Sequence, residues 1–347
     1  MTVQLVVSAS PGERRFARIE DGRVAAIRVA RDQGAPYLGA VYLGRVVRLE
    51  PGIGGAFVEI GLSKPGFLNL GKRRLGEGDA VAVCVKADPY GEKGARLSLD
   101  VPQGLEISEG AKPPLRLLPP ADPLIQLQAK GAVDEIVENR PGFAQDPFET
   151  SGAAEALEEA LSPLVRLPSG GRLLIERTAA LWAVDVDTGA QKGPDARFRA
   201  NQEAAVELAR QLRLRNLGGR ILVDFAGLPR NRLGKIVSLL KDELARDEMK
   251  VHLGGATPLG LVELARERGS ACLADLFLGP EAVACAGLRA ALSLARANPA
   301  ARPRLILPMA AIDLLKGAMN PALALAEERL GHVIVLESGD KLEALAQ

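Results

Sequence analysis

The sequence predicts a multidomain α/β (α+β) protein with a small β-barrel inserted near its N-terminus. Residues 36–99 contain several short apolar stretches separated by glycines, which is typical of a small barrel. From about residue 130 to residue 270, strand-like and helix-like stretches alternate, as in α/β domains. Six prolines within residues 102–123 favour a linker between the two regions.

The remaining elements follow from local patterns. Residues 1–35 are predicted to form short strands around glycine-containing turns. In the α/β region, strands are predicted at VDEIV, RLLIE, ALWAVDV and RILVDF, and helices at AAEALEEAL, NQEAAVELARQLRLRNLGG and RLGKIVSLLKDELARDE. The middle helix is the best marked, because its apolar residues recur every three or four positions and Gly218 follows it. Residues 291–347 are predicted to form a small αβ unit with strands RLILP and HVIVLE.

Composition and charge describe an ordinary globular protein. The 347 residues are 47% apolar and 25% charged, which is enough for a sizeable core. Since 44 basic residues nearly balance 43 acidic ones, a polyanionic ligand must be bound by a local basic patch. Cys84, Cys272 and Cys285 are scattered, so neither a disulfide framework nor a zinc site is expected. The N-terminus has no basic leader, and a cytoplasmic location is expected.

The stretch LWAVDVDTG, residues 181–189, carries two acids at the end of an apolar strand. In an extended strand Asp185 and Asp187 lie on the same face, and their carboxylates repel each other unless a cation lies between them. Two interpretations remain open on these residues alone. The strand either runs out into solvent at a turn or ends at a divalent metal site.

A second apolar strand, ILVDF, also ends in an acid, Asp224. If the two strands are neighbours, Asp185, Asp187 and Asp224 converge at one sheet edge, and carboxylates of this kind suit Mg²⁺ or Mn²⁺. Such a cation can polarise a phosphodiester for attack by water. Taken alone, however, Asp224 is equally explained as an acid that caps the following turn. A nucleophilic triad is disfavoured because the only histidines are His252 and His332 and no serine elbow is present.

The predicted barrel has features of a surface that binds single strands. Residues 36–99 contain nine basic and six acidic residues, and Phe57 and Phe67 lie in short glycine-flanked strands. OB-type barrels bind single-stranded nucleic acid by stacking bases on aromatic rings beside a basic groove. The two rings can equally fill the barrel core, and this alternative stays open. The basic run 72–74 is interpreted as a solvated loop.

Together these stretches resemble the catalytic core of the ribonuclease E/G family, in the family's order. The family's RNA-binding barrel is similar to PYLGAVYLGRVVRLEPGIGGAFVEIGLSKPGFLNL, its run into the first catalytic acid to RLPSGGRLLIERTAALWAVDVDTG, and its run to the second acid to NQEAAVELARQLRLRNLGGRILVDF. The resemblance implies that Asp185 and Asp224 are metal ligands. It implies that Asp187, which stands where the family usually has Asn, assists the water or the phosphate. It also implies that Phe57, Phe67 and Lys93 contact RNA.

The resemblance also implies a domain layout. It comprises an RNase H-like subdomain (residues 1–35 and 124–180), an OB-type barrel (36–100), the proline-rich linker (101–123), a DNase I-like catalytic subdomain (181–290) and a small C-terminal domain (291–347). The linker stands in the place of the family's sensor for a 5′-monophosphate end, so no 5′-end sensing is expected. ACLADLFLGP stands in the place of the family's paired-cysteine zinc link, so no zinc is expected.

The function that the resemblance implies is a Mg²⁺-dependent endoribonuclease of single-stranded RNA, whose products carry 5′-phosphate and 3′-hydroxyl ends. The C-terminal domain resembles the small domain of the family, and this resemblance is compatible with a homodimer formed through that domain. The alternative is a non-cleaving RNA-binding protein of the same family that acts at ribosomes or in an RNA-processing complex.

Overall fold

The computed structural model describes residues 2–33, 37–128, 131–139, 145–190 and 193–346. It separates into two compact units. The first contains residues 1–35, 127–267 and 272–347, and the second contains residues 36–126 and 268–271. Portions of the predicted domain ranges, at 34–36, 129–130, 140–144 and 191–192, lie outside the described residues.

A four-stranded sheet begins the first unit. Three of its strands, β1 (Val3–Ser10), β2 (Glu13–Glu20) and β3 (Arg23–Arg31), form an antiparallel meander, and the fourth comes from a later part of the chain. The apolar residues of these strands are buried, which confirms the short strands predicted for the N-terminal segment.

The second unit is built on a closed barrel. Its strands are β4 (Val41–Glu50), β5 (Gly55–Glu59), β6 (Gly66–Asn69), β7 (Ala80–Ala87) and β8 (Arg96–Ser98), with a 3₁₀ turn at Pro51–Ile53. The order β5-β6-β8-β7-β4 is closed by pairing of β4 with β5, so the mixed α/β protein contains a five-stranded barrel that fits the OB type. Alternate residues of every strand, such as Val46, Val58 and Val85, fill its interior.

The proline-rich segment after the barrel is more than a linker. It contributes β9 (Leu115–Leu118), which pairs with the first residues of β4, from Val41 to Leu43, and α1 (Pro123–Gln128) follows it. Prolines flank this strand but do not interrupt it, so its backbone N–H groups remain available for pairing.

The chain then returns to the first unit. There, β10 (Glu135–Glu138) adds to β1 in parallel, and the short helix α2 (Pro147–Thr150) and α3 (Ala153–Leu161) cover the sheet. Asp146 caps α2 and also accepts a bond from buried Arg15 at 2.8 Å, which ties this return segment to β2.

The largest sheet has six strands in the order β11-β12-β13-β14-β16-β15. Its elements are β11 (Leu164–Arg166), β12 (Arg172–Arg177), β13 (Trp182–Asp187), α4 (Pro194–Leu214), β14 (Gly219–Asp224), α5 (Arg230–Leu244), β15 (Val251–Ala256) and β16 (Val262–Arg266). Only β13 and β14 are parallel, because α4 returns the chain between them. The helices α4 and α5 bury one face of the sheet, whereas the other face, hereafter the open face, stays accessible.

A small αβ layer ends the chain. It comprises α6 (Leu273–Phe277), α7 (Pro280–Ala297), β17 (Pro303–Leu307), α8 (Met309–Lys316), α9 (Asn320–Leu330), β18 (Val335–Ser338) and β19 (Glu343–Ala346). Its own core includes residues of α7, which continues across residue 290, where the sequence analysis placed a boundary. Likewise β12, assigned there to the preceding subdomain, pairs with β13. No helix in the described part of the chain has the length and apolarity needed to span a membrane.

A buried ion pair fastens the six-stranded sheet to its helices. Arg266 is fully buried, and its guanidinium binds both carboxylate oxygens of Asp247 at 2.8 and 2.9 Å. The same guanidinium donates to the side chain of Asn216 and to the carbonyl of Leu217, just beyond α4. All these groups are removed from water, so each depends on its partners.

We expect Arg266→Ala to lower the free energy of unfolding by about 3–5 kcal/mol, because it leaves the Asp247 carboxylate buried without its partner. The chain has one tryptophan, Trp182 in β13, so urea unfolding followed by its fluorescence reports on this sheet. Arg246→Ala is the control, since Arg246 is 58% exposed in its pair with Glu243 and its loss should cost less than about 1 kcal/mol. Equal losses for the two variants would contradict the assignment.

Candidate functional site

Two acids stand side by side on the open face of the six-stranded sheet. Asp185 and Asp224 are directly opposed in the parallel register of β13 and β14, whose backbones lie about 4.8 Å apart. Each is exposed, while the preceding Val184 and Val223 are buried against the helices. The alternation that buries the valines therefore places both carboxylates on the open face.

A shallow cavity of about 200 Å³ surrounds this pair. Its lining includes Leu174, Leu222 and Leu261, with Glu176 as a third acid nearby. An apolar floor under two like charges increases their mutual repulsion, and a cation bound between them would relieve it.

Asp187 lies on the same face as Asp185 but has local partners. Its carboxylate pairs with Arg172 at 2.8 Å and accepts the backbone N–H of Gly189 at 2.8 Å. The Gly189 hydrogen bond, followed by the charge of Arg172, lowers the pKa of Asp187. Gly189 itself has a positive φ of 63°, and a side chain there would lie 2.7 Å from the carbonyl of Gly170. Asp187 therefore fixes the turn that follows the strand as well as carrying charge on the open face.

The donors fit a hard divalent cation. Among the residues that the structure describes, no group of three or more His, Cys, Asp or Glu side chains is arranged to hold a metal ion. Asp185 and Asp224 nevertheless form a pair, and Mg²⁺ is commonly held by one or two carboxylates together with waters and substrate phosphates. Of the three acids predicted to converge, the structure brings these two together and engages Asp187 elsewhere.

Asn201 holds the backbone just after Asp224, from the helix-covered side of the sheet. This residue was not among those predicted from the sequence. It lies buried in α4, and its amide donates to the carbonyl of Ala226 at 3.1 Å, two residues beyond Asp224. The same amide donates to the carbonyl of Arg197 in its own helix at 2.8 Å. The detectable signal is a polar residue on the apolar face of an amphipathic helix.

Phe57 and Phe67 form a partly buried pair outside the apolar core cluster of the barrel. They are opposed in the register of β5 and β6, with ring centroids 5.7 Å apart and an interplanar angle of 66°. The guanidinium of Arg48 lies 4.5 Å from the centroid of the Phe57 ring, and Arg96 is in register with Phe67. Gly55 makes room for this arrangement, since a side chain there would lie 2.3 Å from the Phe67 ring. Neither ring belongs to the cluster of side chains that fills the barrel interior, which favours the surface interpretation of both rings.

Lys93 lies in the tight loop that leads into β8. Tyr90 and Lys93 exchange backbone hydrogen bonds of 3.0 Å across this loop, and Lys64 pairs with Glu92 beside it. The Lys93 side chain is exposed and makes no ion pair within the described part of the chain. The basic run 72–74 is likewise exposed, in the loop between β6 and β7. Aromatic and cationic side chains thus share the surface of the barrel.

The three cysteines, by contrast, are buried free thiols. Burial is the main reason that the pKa of Cys285 rises to about 12. A thiol of this kind stays protonated and is a poor nucleophile or metal ligand.

The pair of acids lies in the part of the chain that is similar to known proteins. A model of the ribonuclease E/G family matches residues 126–269, which include all three predicted acids. Ribonuclease G of Haemophilus influenzae is 26% identical to this chain, over 77% of this chain and 79% of that protein. Ribonuclease G of Escherichia coli K12 is 27% identical, over 77% and 80%. Ribonuclease E of Nostoc sp. PCC 7120 is 42% identical over a shorter region, 38% of this chain and 20% of that protein.

These alignments also show what the chain lacks. The alignment with the Haemophilus influenzae protein runs over 390 positions, which exceeds the 347 residues of this chain. The relative therefore carries segments that have no counterpart here.

We expect Phe57→Ala and Phe67→Ala to destabilise the barrel by only roughly 1 kcal/mol each, because neither ring belongs to its core. Leu68→Ala is the internal control: Leu68 is fully buried next to Phe67, and its truncation should cost about 2–5 kcal/mol. All three tyrosines, Tyr37, Tyr42 and Tyr90, lie in the barrel unit, so tyrosine fluorescence during unfolding isolates it. If either phenylalanine variant loses as much unfolding free energy as Leu68→Ala, the ring belongs to the barrel core.

Proposed function

We propose that this chain is an endoribonuclease that cleaves single-stranded RNA, because a model of the ribonuclease E/G family matches residues 126–269 and ribonuclease G relatives align with 77% of the chain. The observation that carries this proposal is the in-register pair of exposed carboxylates, Asp185 and Asp224, inside the region that matches the family. The names of the relatives, ribonuclease G and ribonuclease E, support RNA as the substrate.

In this proposal Asp185 and Asp224 hold one divalent cation, Mg²⁺ or Mn²⁺. When bound, the cation would polarise the scissile phosphodiester and offset the negative charge that develops on it. Their exposure leaves room for the substrate phosphate beside them, and their neighbouring strands fix their spacing. The buried amide of Asn201 holds the turn after Asp224 and thereby keeps that spacing. The products are proposed to carry 5′-phosphate and 3′-hydroxyl ends.

Asp187 and Arg172 form a second functional pair in this proposal. Asp187 lies two residues after Asp185 in β13, on the same open face. From there it supports the attacking water or the phosphate. The carboxylate of Asp187 is ionised at neutral pH, and its ion pair with Arg172 keeps that guanidinium oriented. The guanidinium then contributes positive charge beside two uncompensated carboxylates.

The barrel is proposed to hold the RNA strand. Bases stack on Phe57 and Phe67, which are partly exposed, while Arg48 and Lys93 supply positive charge for the backbone. Stacking on a ring is tolerant of sequence, so this surface supplies affinity more than specificity. We also propose that the sheet that begins the chain and its covering helices form the RNase H-like subdomain, and that the six-stranded sheet is the DNase I-like one. The homodimer remains a prediction.

The second candidate is an RNA-binding protein of the same family that does not cleave. One observation favours it, namely that relatives carry segments that this chain lacks. Incubation of the purified protein with single-stranded RNA and Mg²⁺, against an EDTA control, distinguishes the two candidates.

We expect Asp185→Ala or Asp224→Ala to slow cleavage by roughly 100-fold or more while RNA affinity changes only a few-fold, since each removes a metal ligand and leaves the barrel unchanged. Asp242→Ala is the matched control, because Asp242 is exposed on α5. Single-turnover cleavage of a labelled RNA measures the rate, and fluorescence anisotropy in EDTA measures the affinity. Cleavage at the wild-type rate by either variant would refute the site.

We also expect equal cleavage rates for 5′-monophosphate, 5′-triphosphate and 5′-hydroxyl forms of one RNA. The segment in the place of the family's sensor, residues 101–123, contributes the strand β9 to the barrel unit and forms no separate domain. A tenfold preference for the monophosphate corresponds to about 1.4 kcal/mol of transition-state binding. A preference of that size would demonstrate a terminal-phosphate pocket and contradict this expectation.

A further inference from the structure

A second cavity lies on the open face, beside the one that holds the two acids. It has a volume of about 330 Å³, within the range of small-molecule sites, and its lining includes Leu181, Leu222, Ala265, Arg220, His252 and Glu263. Leu222 lines both cavities, so they are neighbours along β14. Nothing in the proposed cleavage chemistry uses the three polar residues of this second cavity.

The cavity forms because a small residue lies between two long ones on neighbouring strands of the sheet. Across β14, β16 and β15, one row reads Arg220, Ala265 and His252. Ala265 is therefore the floor of a slot whose walls are a guanidinium and an imidazole, roughly 10 Å apart at the backbone. The next row places Glu263 between Leu222 and a bulge at Gly254 and Gly255.

Glycine at position 254 leaves room for the Glu263 side chain at the end of this slot. A side chain on Gly254 would lie 2.8 Å from the Glu263 carboxylate, so its absence lets Glu263 lie across the strand. Arg220, His252 and Glu263 are all exposed. Within the described residues, none of the three side chains has a hydrogen bond or an ion pair.

We propose that this slot binds a guanine base of the RNA substrate, at a nucleotide next to the scissile phosphate; the inference rests on the proposed function. The flat base lies between Arg220 and His252, both of which stack on bases. Glu263 at the end of the slot accepts hydrogen bonds from the edge of the base.

Guanine is selected because of the hydrogen-bonding pattern of a carboxylate. An ionised carboxylate only accepts, and it can accept two parallel bonds. Guanine alone presents two adjacent donors on its Watson–Crick edge, the N1–H and the 2-amino group. Adenine and cytosine present one amino group next to a ring acceptor, and uracil presents one N–H between two carbonyls. Each of these three bases would place an acceptor against the carboxylate.

The position of the slot fits a neighbouring nucleotide. Glu263 is in register with Leu222, two residues before Asp224 in β14. The offset is about 7 Å along the strand and one strand across. A base in the slot therefore keeps its own ribose and phosphate close to the acids.

The test uses the full-length protein and short oligouridine RNAs that carry one central guanosine, inosine, adenosine or cytidine. Affinity is measured by fluorescence anisotropy in EDTA, where no cleavage occurs. We expect the guanosine RNA to bind on the order of tenfold tighter than the adenosine RNA, and inosine, which lacks the 2-amino group, to fall between them. Glu263→Gln should abolish the preference, whereas Glu158→Gln, on the exposed side of α3, should keep it.

Two more measurements separate the parts of the slot from the cleavage chemistry. His252→Ala should weaken binding of the guanosine RNA, and His252→Phe should restore it, because phenylalanine also stacks. With Mg²⁺ present, sequencing of the cut ends from a random RNA pool should show guanosine enriched at one fixed position beside the cut.

The outcomes are distinguishable. Cleavage with equal affinity for all four bases, or with a pyrimidine preference, overturns the guanine slot and leaves the proposed function intact. A guanosine preference that survives in Glu263→Gln also overturns it. A guanosine preference in EDTA without cleavage of any RNA in Mg²⁺ supports the slot and overturns the endoribonuclease.

Discussion

The parallel pairing of β13 and β14, in a sheet that helices cover on one face only, is the constraint on which the site depends. A parallel pair needs a long crossover, and α4 supplies it with 21 residues. The buried valines of both strands face that helix, so the residues between them must face outward. Asp185 and Asp224 are therefore adjacent because of the register of β13 and β14. No bond between the two side chains is needed to bring them together.

Buried polar groups hold the layers around this sheet in place. Arg266 connects β16 to the end of α4 and to Asp247, while Arg28 in β3 pairs with Glu248 and donates to the backbone of Arg213. Burial is the main cause that lowers the pKa of Arg28 to about 9. Arginines suit these positions because one planar guanidinium can satisfy several acceptors at once. The apolar cores supply most of the stabilisation, and these bonds fix how neighbouring layers are aligned.

Much of this arrangement could be predicted from the sequence, because it follows from periodicity. The alternation in AVDVD and ILVDF places Asp185 and Asp224 on one face, and the glycine-separated stretches predict the barrel. The interaction of Asp187 with Arg172 could not be predicted, because it depends on the register of β12 against β13. The strand β9 was missed because prolines around it resemble a linker, and the slot was missed because Gly254 and Ala265 are informative only once their strands are neighbours.

The bulge at Gly254 and Gly255 has a consequence beyond the shape of the slot. It lies in β15, which is an edge strand of the six-stranded sheet, and β11 at the opposite edge has only three residues. A regular, exposed edge strand presents unpaired N–H and C=O groups that can recruit a strand from another chain. An interrupted edge and a short edge both oppose such strand addition. The sheet can therefore keep one face bare for a ligand and still resist growing into a larger sheet with copies of itself.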